Sequence, residues 1–188
     1  MYQTKLLVRN KFDKKNLSNS YIPMSTHIEK ESTYLLNSIP SDLSNYKKEY
    51  TKDTYLPPDA GHPMIRLRKR GEQLFMTKKY PKVPGDYSTM IEETINLLDY
   101  EYEFLEKNLP GNVLEKNRYS KRENGYVIEI DEYIGKLSPL KVMDIEWDTE
   151  VLDLDLTEFD IKKEITQQNS LAAGNLAGKS YGEIEKYL

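Results

Sequence analysis

The chain has 188 residues, a size typical of a single domain with a sizeable core. It has no cysteine, which excludes disulfides, thiol nucleophiles and cysteine-ligated zinc, and its two histidines leave few candidates for a His-rich metal site or a Ser-His-Asp triad. The net charge of −4 argues against a protein that coats nucleic acid, and no apolar run reaches the length of a membrane helix. Carboxylates, lysines, arginines and a hard metal ion are the groups left to supply chemistry.

The polar first part of the chain, residues 1–26, is predicted to be an N-terminal extension of unassigned role, and residues 27–188 to be one domain. The start of the chain lacks the apolar core of a signal peptide, so the cytoplasm is the expected compartment. Serine, proline and aspartate in residues 38–48 predict a short helical turn.

Alternation with a period of two predicts strands along most of the remaining chain. The strand candidates are residues 26–36, 64–70, 72–80, 88–98, 113–121, 125–133, 140–150 and 162–166. Gly71 indicates a hairpin, and residues 122–125 (RENG) indicate another turn. One helix is predicted over residues 99–109, with Asp99 as a candidate N-cap, and residues 170–188 are expected to form a helical tail. Seven or eight short strands with few helices favour a closed antiparallel barrel, a fold dominated by β structure.

Charged residues recur at alternate positions on strand after strand. The acidic set is Glu29, Glu31, Glu92, Glu129, Asp131, Asp144 and Glu146, and the basic set is Arg66, Arg68, Lys79, Lys116 and Arg118. For one strand, a solvated sheet face is the simplest interpretation. The repeated segregation into acidic and basic strands instead favours a charged barrel interior, which needs both signs. Five cations suit a polyphosphate, and the acids would then hold a divalent metal that bridges to it.

Several motifs resemble those of the CYTH domain, or triphosphate tunnel metalloenzyme, superfamily. Its signature Glu-x-Glu-x-Lys corresponds here to Glu29-Lys-Glu31-Ser-Thr33, followed by Tyr-Leu-Leu. The motifs IRLRKRGEQLFMTKK, EKNRY, EIDEYIGKLSPL, VMDIEWD and KKEIT follow in the family's order, with features closer to its bacterial tripolyphosphatase branch. The resemblance covers residues 29 to about 177.

This resemblance implies an eight-stranded antiparallel tunnel, with a few surrounding helices, that binds a triphosphate and Mg²⁺ or Mn²⁺. Glu29, Glu31 and Thr33 occupy the catalytic signature. The implied phosphate contacts are Arg66, Arg68, Lys79, Lys116 and Arg118. The implied metal ligands are Glu29, Glu31, Glu92, Asp131, Asp144, Glu146 and Glu164.

The sequence departs from the family pattern at four positions, three in the strands and one in the C-terminal segment, where an expected tyrosine is Leu171 or Ala172. Thr33 stands where the signature has lysine, Met90 where a glutamate is expected, and Asp144 where glutamate is usual. Three functions stay open: a metal-dependent phosphohydrolase of tripolyphosphate or a nucleoside triphosphate, a class IV-type adenylate cyclase that makes cyclic AMP from ATP, and a catalytically impaired protein that only binds such a ligand.

The expected partner is a small molecule that contains a triphosphate, with no nucleic acid and no membrane, and a homodimer is left open. Among the remaining polar residues, Lys69 and Arg70 are expected to face solvent near the hairpin, and His62 is expected to be an exposed loop residue.

Overall fold

The computed structural model describes residues 25–61, 64–147 and 153–188. Its strands are β1 (Ser25–Leu36), β2 (Lys47–Leu56), β3 (Ile65–Arg70), β4 (Gln73–Val83), β5 (Asp86–Asn96), β6 (Asn112–Glu123), β7 (Tyr126–Tyr133), β8 (Lys141–Trp147) and β9 (Ile161–Glu164). Its α-helices are α1 (Asp99–Asn108), α2 (Ala173–Leu176) and α3 (Tyr181–Ile184), beside 3-10 helices at Gly135–Leu137, Asn169–Leu171 and Glu185–Tyr187. Within these described residues, no helix is both long and apolar enough to span a membrane.

The first eight strands close into an antiparallel barrel. The strand order is β5-β4-β3-β2-β6-β7-β8-β1, and β1 pairs back onto β5. The 12 residues of β1 pair with three strands: residues 25–30 with β5, residues 30–35 with β8, and residues 34–36 with β9. Closure satisfies the backbone groups that an open sheet would expose at its edges. The predicted closed antiparallel barrel is confirmed.

Two of the predicted turns also have the backbone that their sequences favour. Gly71, between β3 and β4, has a φ of 55°, which a residue without a Cβ adopts readily. Asn124 and Gly125 join β6 to β7 with φ angles of 50° and 83°, as a two-residue turn of type I′ requires.

The segment before β3 differs from the prediction. The predicted helical turn at residues 38–48 is wrong, because these residues form bends and a turn and β2 begins at Lys47. No strand was predicted for β2, since its inward positions include Glu49, Thr51 and Asp53 and therefore show no apolar alternation. The helix at residues 99–109 is confirmed as α1, but its N-cap is Leu98 and not Asp99. Glu101 accepts a hydrogen bond from the backbone N–H of Leu98 at 2.9 Å.

At the two ends of the described chain, the structure refines the expected organisation. The helical tail consists of short helical segments, of which α3 continues directly into the 3-10 helix Glu185–Tyr187. Ser25 and Thr26, placed in the extension, are the first residues of β1, and residues 1–24 and His62 lie outside the described residues. The boundary between an extension and a domain at residue 26 stays a prediction.

Two apolar clusters leave the middle of the barrel to charged residues. One fills an end of the barrel, where inward side chains meet the C-terminal segment; its members include Leu35, Tyr55, Met64, Leu114, Tyr133, Val142, Ile165, Leu171, Leu176 and Ile184. The other covers the outer face of β1 and β6–β8; its members include Tyr34, Leu36, Tyr119, Ile128, Ile130, Met143, Ile145 and Phe159. Burial of these side chains supplies the main driving force for folding.

Candidate active site

A cavity of about 560 Å³ lies inside the barrel and brings most of the predicted site residues together. The predicted residues that line it are Glu29, Glu31, Thr33, Arg66, Arg68, Lys79, Glu92, Lys116, Arg118, Asp144 and Glu146. Two predicted residues do not line it. Asp131 is buried behind Lys116 and Arg118, and Glu164 is exposed on β9.

Three carboxylates converge at one side of this cavity. One oxygen each from Glu29, Glu31 and Glu146 lies within 4.8 Å of the others. The cluster follows from the fold, because alternate residues of β1 point the same way and the β1–β8 register places Glu31 opposite Glu146. Lys79 reaches across from β4, with its Nζ 3.0 Å from Glu29 Oε2 and in hydrogen-bond contact with Glu31.

Burial and mutual repulsion shift the pKa values in the carboxylate cluster. Burial raises the pKa of Glu31, partly opposed by Lys79. Burial and the carboxylates of Glu129 and Glu29 raise the pKa of Glu146 to about 8. Burial would lower the pKa of Lys79, but Glu31 and Glu29 outweigh it and hold that pKa above its usual value. Crowded acids of this kind favour a cation among them.

The donor set fits a hard divalent cation. Glu29 Oε2 is buried and accepts no hydrogen bond from the residues that the structure describes, although Lys79 lies beside it. Carboxylate oxygens are the ligands that Mg²⁺ and Mn²⁺ prefer. Glu29, Glu31 and Glu146 are therefore the residues best placed to hold such an ion.

The arginines of β3 face the same cavity, and each pairs with a carboxylate. Arg66 donates from Nη2 to Glu92 at 2.9 Å, while its Nε is buried without a hydrogen-bond partner among the described residues. Arg68 donates twice to Asp53, at 2.7 and 2.8 Å, in a bidentate pair. Glu92 takes one donor of the Arg66 guanidinium, which carries five N–H groups in all.

The cations of β6 share the buried acids of β7. Arg118 donates from Nε and Nη2 to Asp131, both at 2.6 Å, and also contacts Glu129. Lys116 contacts the same Asp131 oxygen as Arg118 Nη2. Burial and the nearby Arg118 lower the pKa of Lys116 to about 8. Both oxygens of Asp131 are thus taken by cations, which suits a role in positioning those cations.

Thr33 interacts with an acid of the neighbouring strand. It lies opposite Asp144 in the β1–β8 register, and its hydroxyl donates to Asp144 at 2.8 Å. Asp144 also lies 3.7 Å from Arg118 Nη2. The backbone N–H of Thr33 donates to Thr166 Oγ1, which in turn donates to Glu164 at 2.7 Å. Glu164 therefore connects to the cavity only indirectly, through Thr166, in these contacts.

Sequence reasoning left several charged residues outside the predicted site, among them Arg70, Asp53 and Glu129. The expectation that Arg70 faces solvent is wrong: it lines the cavity, donates to Glu129 at 2.7 Å and lies 3.5 Å from Glu49. Arg70 lies two residues beyond Arg68, so strand alternation could have predicted that it faces the cavity. Lys69, between Arg68 and Arg70, is exposed as expected. Asp53 was missed with the rest of β2, and Glu129, although noted in the alternation, was not assigned to the site.

Comparisons with known proteins agree with the fold and with part of the sequence. No protein-family model matches the chain. The inorganic triphosphatase of Nitrosomonas europaea is 34% identical over 94 residues, which are 50% of this chain and 60% of that protein. The chain thus matches less than two thirds of that relative's length.

Solved structures show the same architecture. The structure described as the hypothetical protein NE1496 is 25% identical, with a TM-score of 0.55, over 81% of this chain and 99% of its own. The structure described as the inorganic triphosphatase NE1496 is 24% identical, also with a TM-score of 0.55, over 80% and 95%. PH1012 from Pyrococcus horikoshii OT3, at 18% identity and a TM-score of 0.51 over 65% and 80%, shares the fold.

Proposed function

We propose that the chain belongs to the CYTH, or triphosphate tunnel, superfamily and that it is a divalent-metal-dependent phosphohydrolase of a linear triphosphate. The substrate would be inorganic tripolyphosphate or a nucleoside triphosphate. One observation carries the proposal: a metal-competent carboxylate cluster and a set of buried cations line the same cavity. An acid cluster alone would repel phosphate, and cations alone would bind it without activating water.

The cations of the cavity would bind and orient the phosphate chain. Arg66 and Arg68 approach from β3, and Lys116 and Arg118 from β6. In a buried site, their charge stabilises the negative charge that develops on the phosphate oxygens more strongly than water would. Arg66 gives Nη2 to Glu92, and the other N–H groups of its guanidinium would serve a phosphate.

Mg²⁺ or Mn²⁺, held by Glu29, Glu31 and Glu146, would supply Lewis acidity toward the phosphate oxygens and the attacking water. Lys79 contacts two of these three carboxylates and can turn from them toward a phosphate. Thr33 holds the Asp144 carboxylate through its hydroxyl and contributes no charge of its own.

Phosphate release from tripolyphosphate and ATP, measured with Mg²⁺ and with Mn²⁺, tests the proposal. Arg66→Ala and Arg118→Ala should each reduce release strongly, and Lys69→Ala, on the outer face of β3, is the matched control. Unchanged release in both arginine variants would contradict the proposed site. Cyclic AMP with pyrophosphate as products of ATP would instead identify a cyclase.

A protein that binds a triphosphate without turnover is the second candidate, and it too rests on the cavity. Met90 is buried in the cavity lining directly opposite Glu29 in the β1–β5 register, where it offers no metal ligand. Thr33 supplies a hydroxyl where the family signature supplies a lysine. Tight binding by calorimetry, with no product under any metal condition, would support this candidate.

A further inference from the structure

The outward face of α1 carries two large apolar side chains that stay exposed within the described structure. Tyr100 and Phe104 are 57% and 66% exposed. They lie four residues apart, so they are neighbours on one face of the helix and form a continuous apolar strip. Ile95, near the end of β5 that leads into α1, is exposed as well. Adjacent exposed aromatic side chains of this kind indicate a binding surface.

Acidic side chains border this apolar strip. Asp99 and Glu103 line a groove of about 480 Å³ between α1 and the outer face of β2, β3 and β4, together with Glu72. All three acids are exposed, and none forms an ion pair with another residue of the described ranges. Lys69 lies in the same lining, and the two remaining charged residues of the groove pair with each other. The groove therefore keeps a negative charge beside the apolar strip.

The chain that precedes Ser25 enters the barrel beside α1. Ser25, the first residue of β1, lies opposite Thr94 in the β1–β5 register, and α1 begins at Asp99. Because the two strands are antiparallel, β1 is entered from the end at which β5 leads into α1. A chain spans at most about 3.6 Å per residue, so Asp99 lies within about 18 Å of Thr94, and the ten residues from Lys15 to Ser25 can span about 35 Å. The preceding segment is therefore long enough to reach α1, a helix of about 15 Å.

Residues 1–24 have a charge opposite to that of this surface. They contain one acidic residue and five basic residues, which give a net charge of +4; the basic residues are Lys5, Arg9, Lys11, Lys14 and Lys15. Since the whole chain carries −4, residues 25–188 carry −8. Apolar residues stand among the basic ones, namely Leu6, Leu7, Val8 and Phe12. Residues 25–188 of a second copy would be repelled by the acidic surface, whereas residues 1–24 bring both positive charge and apolar side chains.

We propose that residues 5–15 of this chain dock on the α1 surface, which we define as Glu72, Asp99, Tyr100, Glu103 and Phe104. The apolar side chains of the segment cover the two aromatic rings, and its lysines and arginine approach the three acids. Because the segment is tethered at Ser25, its local concentration is high and weak contacts suffice to hold it. This interaction lies outside the barrel and goes beyond the proposed function.

Amide hydrogen exchange of the full chain, read by mass spectrometry, tests the inference. Amides of residues 5–15 should exchange at least about tenfold more slowly than those of an isolated peptide of the same sequence. The Glu103→Lys/Phe104→Ala double variant should lose this protection, because it removes the charge attraction and the apolar contact; both side chains are exposed, so the fold should be unaffected. Val83→Ala/Glu158→Lys makes the same kinds of change at exposed residues outside α1 and should keep the protection.

Charge reversal on the segment itself provides a second variant. Lys11→Glu/Lys14→Glu should reduce the protection of residues 5–15, and salt at about 0.5 M should reduce it in the unmutated protein, because both weaken the attraction to the three acids.

Exchange at the peptide rate throughout residues 1–24 of the unmutated protein would overturn the inference. Protection that survives in Glu103→Lys/Phe104→Ala, or in Lys11→Glu/Lys14→Glu, would overturn it as well, since the segment would then be held elsewhere. Protection that rises with protein concentration would also contradict it and assign the α1 surface to the segment of a second copy.

Discussion

Replacing Asp53 by alanine should lower the free energy of unfolding by about 3–5 kcal/mol, because Arg68 would stay buried without its counter-ion. Asp53 is fully buried, and the Arg68 side chain is 9% exposed. The pair is bidentate, with donor–acceptor distances of 2.7 and 2.8 Å. Burial alone would raise the pKa of Asp53, but Arg68 outweighs it and holds that pKa well below its usual range.

The size of the expected effect follows from the removal of one partner only. In a domain of this length, 1 kcal/mol of destabilisation lowers the melting temperature by about 2–4 °C, so Asp53→Ala should lower it by roughly 6–20 °C. Arg68→Ala should cost a comparable amount, because it leaves the Asp53 carboxylate buried alone. The double variant should be more stable than the sum of the two single losses predicts, since neither charge is then left unpaired.

Thermal and urea unfolding of the two single variants and the double variant provide the measurement. Lys52→Ala is the matched control, because Lys52 on the same strand pairs with Glu106 at 2.7 Å but both side chains are about one third exposed. That loss should stay within about 1 kcal/mol. A loss below about 1 kcal/mol for Asp53→Ala, or strict additivity in the double variant, would refute the reasoning.

Three further outcomes are expected. Without metal, the free energy of unfolding should fall as the pH rises from about 5 to 8. The pKa of Glu146 is raised to about 8 in the folded state, so the folded protein keeps this proton over a pH range in which the unfolded chain has released it. Glu146→Gln should flatten this fall when unfolding is measured across the pH range. Thr33→Val should lower the phosphate-release rate with a stability loss of about 1 kcal/mol, since it removes the hydrogen bond to Asp144; an unchanged rate would show that Asp144 needs no such support. Mg²⁺ should increase the affinity for tripolyphosphate measured by calorimetry, and a chelator should reverse the increase. Equal affinity with and without metal would show that the acid cluster plays no part in phosphate binding.

The sequence was sufficient to predict the barrel wherever one face of a strand was apolar. β6, β7 and β8 alternate between charged inward residues and outward residues such as Ile128, Ile130 and Ile145, and their predicted positions agree with the structure. β2 was missed because Asp53 and its inward neighbours are polar and its outward face is polar as well. A strand that is polar on both faces has no hydrophobic period, so its identity depends on long-range pairing with β3 and β6.

The same limitation explains which parts of the site could be predicted. Alternation identified the inward cations, because it is a property of one strand at a time. It could not predict their partners, since Arg70 reaches Glu129 and Lys79 reaches Glu31 across the interior, between strands that are not neighbours in the sheet. Such contacts depend on barrel closure and on the stagger between strands, neither of which appears in a local pattern.

Every predicted cation of the cavity pairs with a carboxylate, so in the proposed function the metal would also release a cation for phosphate binding. The partners are Glu92 for Arg66, Asp53 for Arg68, Glu29 and Glu31 for Lys79, and Asp131 for Lys116 and Arg118. A phosphate chain must therefore share or displace carboxylates, and Lys79 has the most to exchange because both of its partners belong to the acid cluster. If Glu29 and Glu31 held a divalent ion, their charge would no longer depend on Lys79, and the Lys79 ammonium would be free to contact phosphate. Since binding coupling is reciprocal, a phosphate chain whose affinity rises with the metal would strengthen metal binding by the same factor.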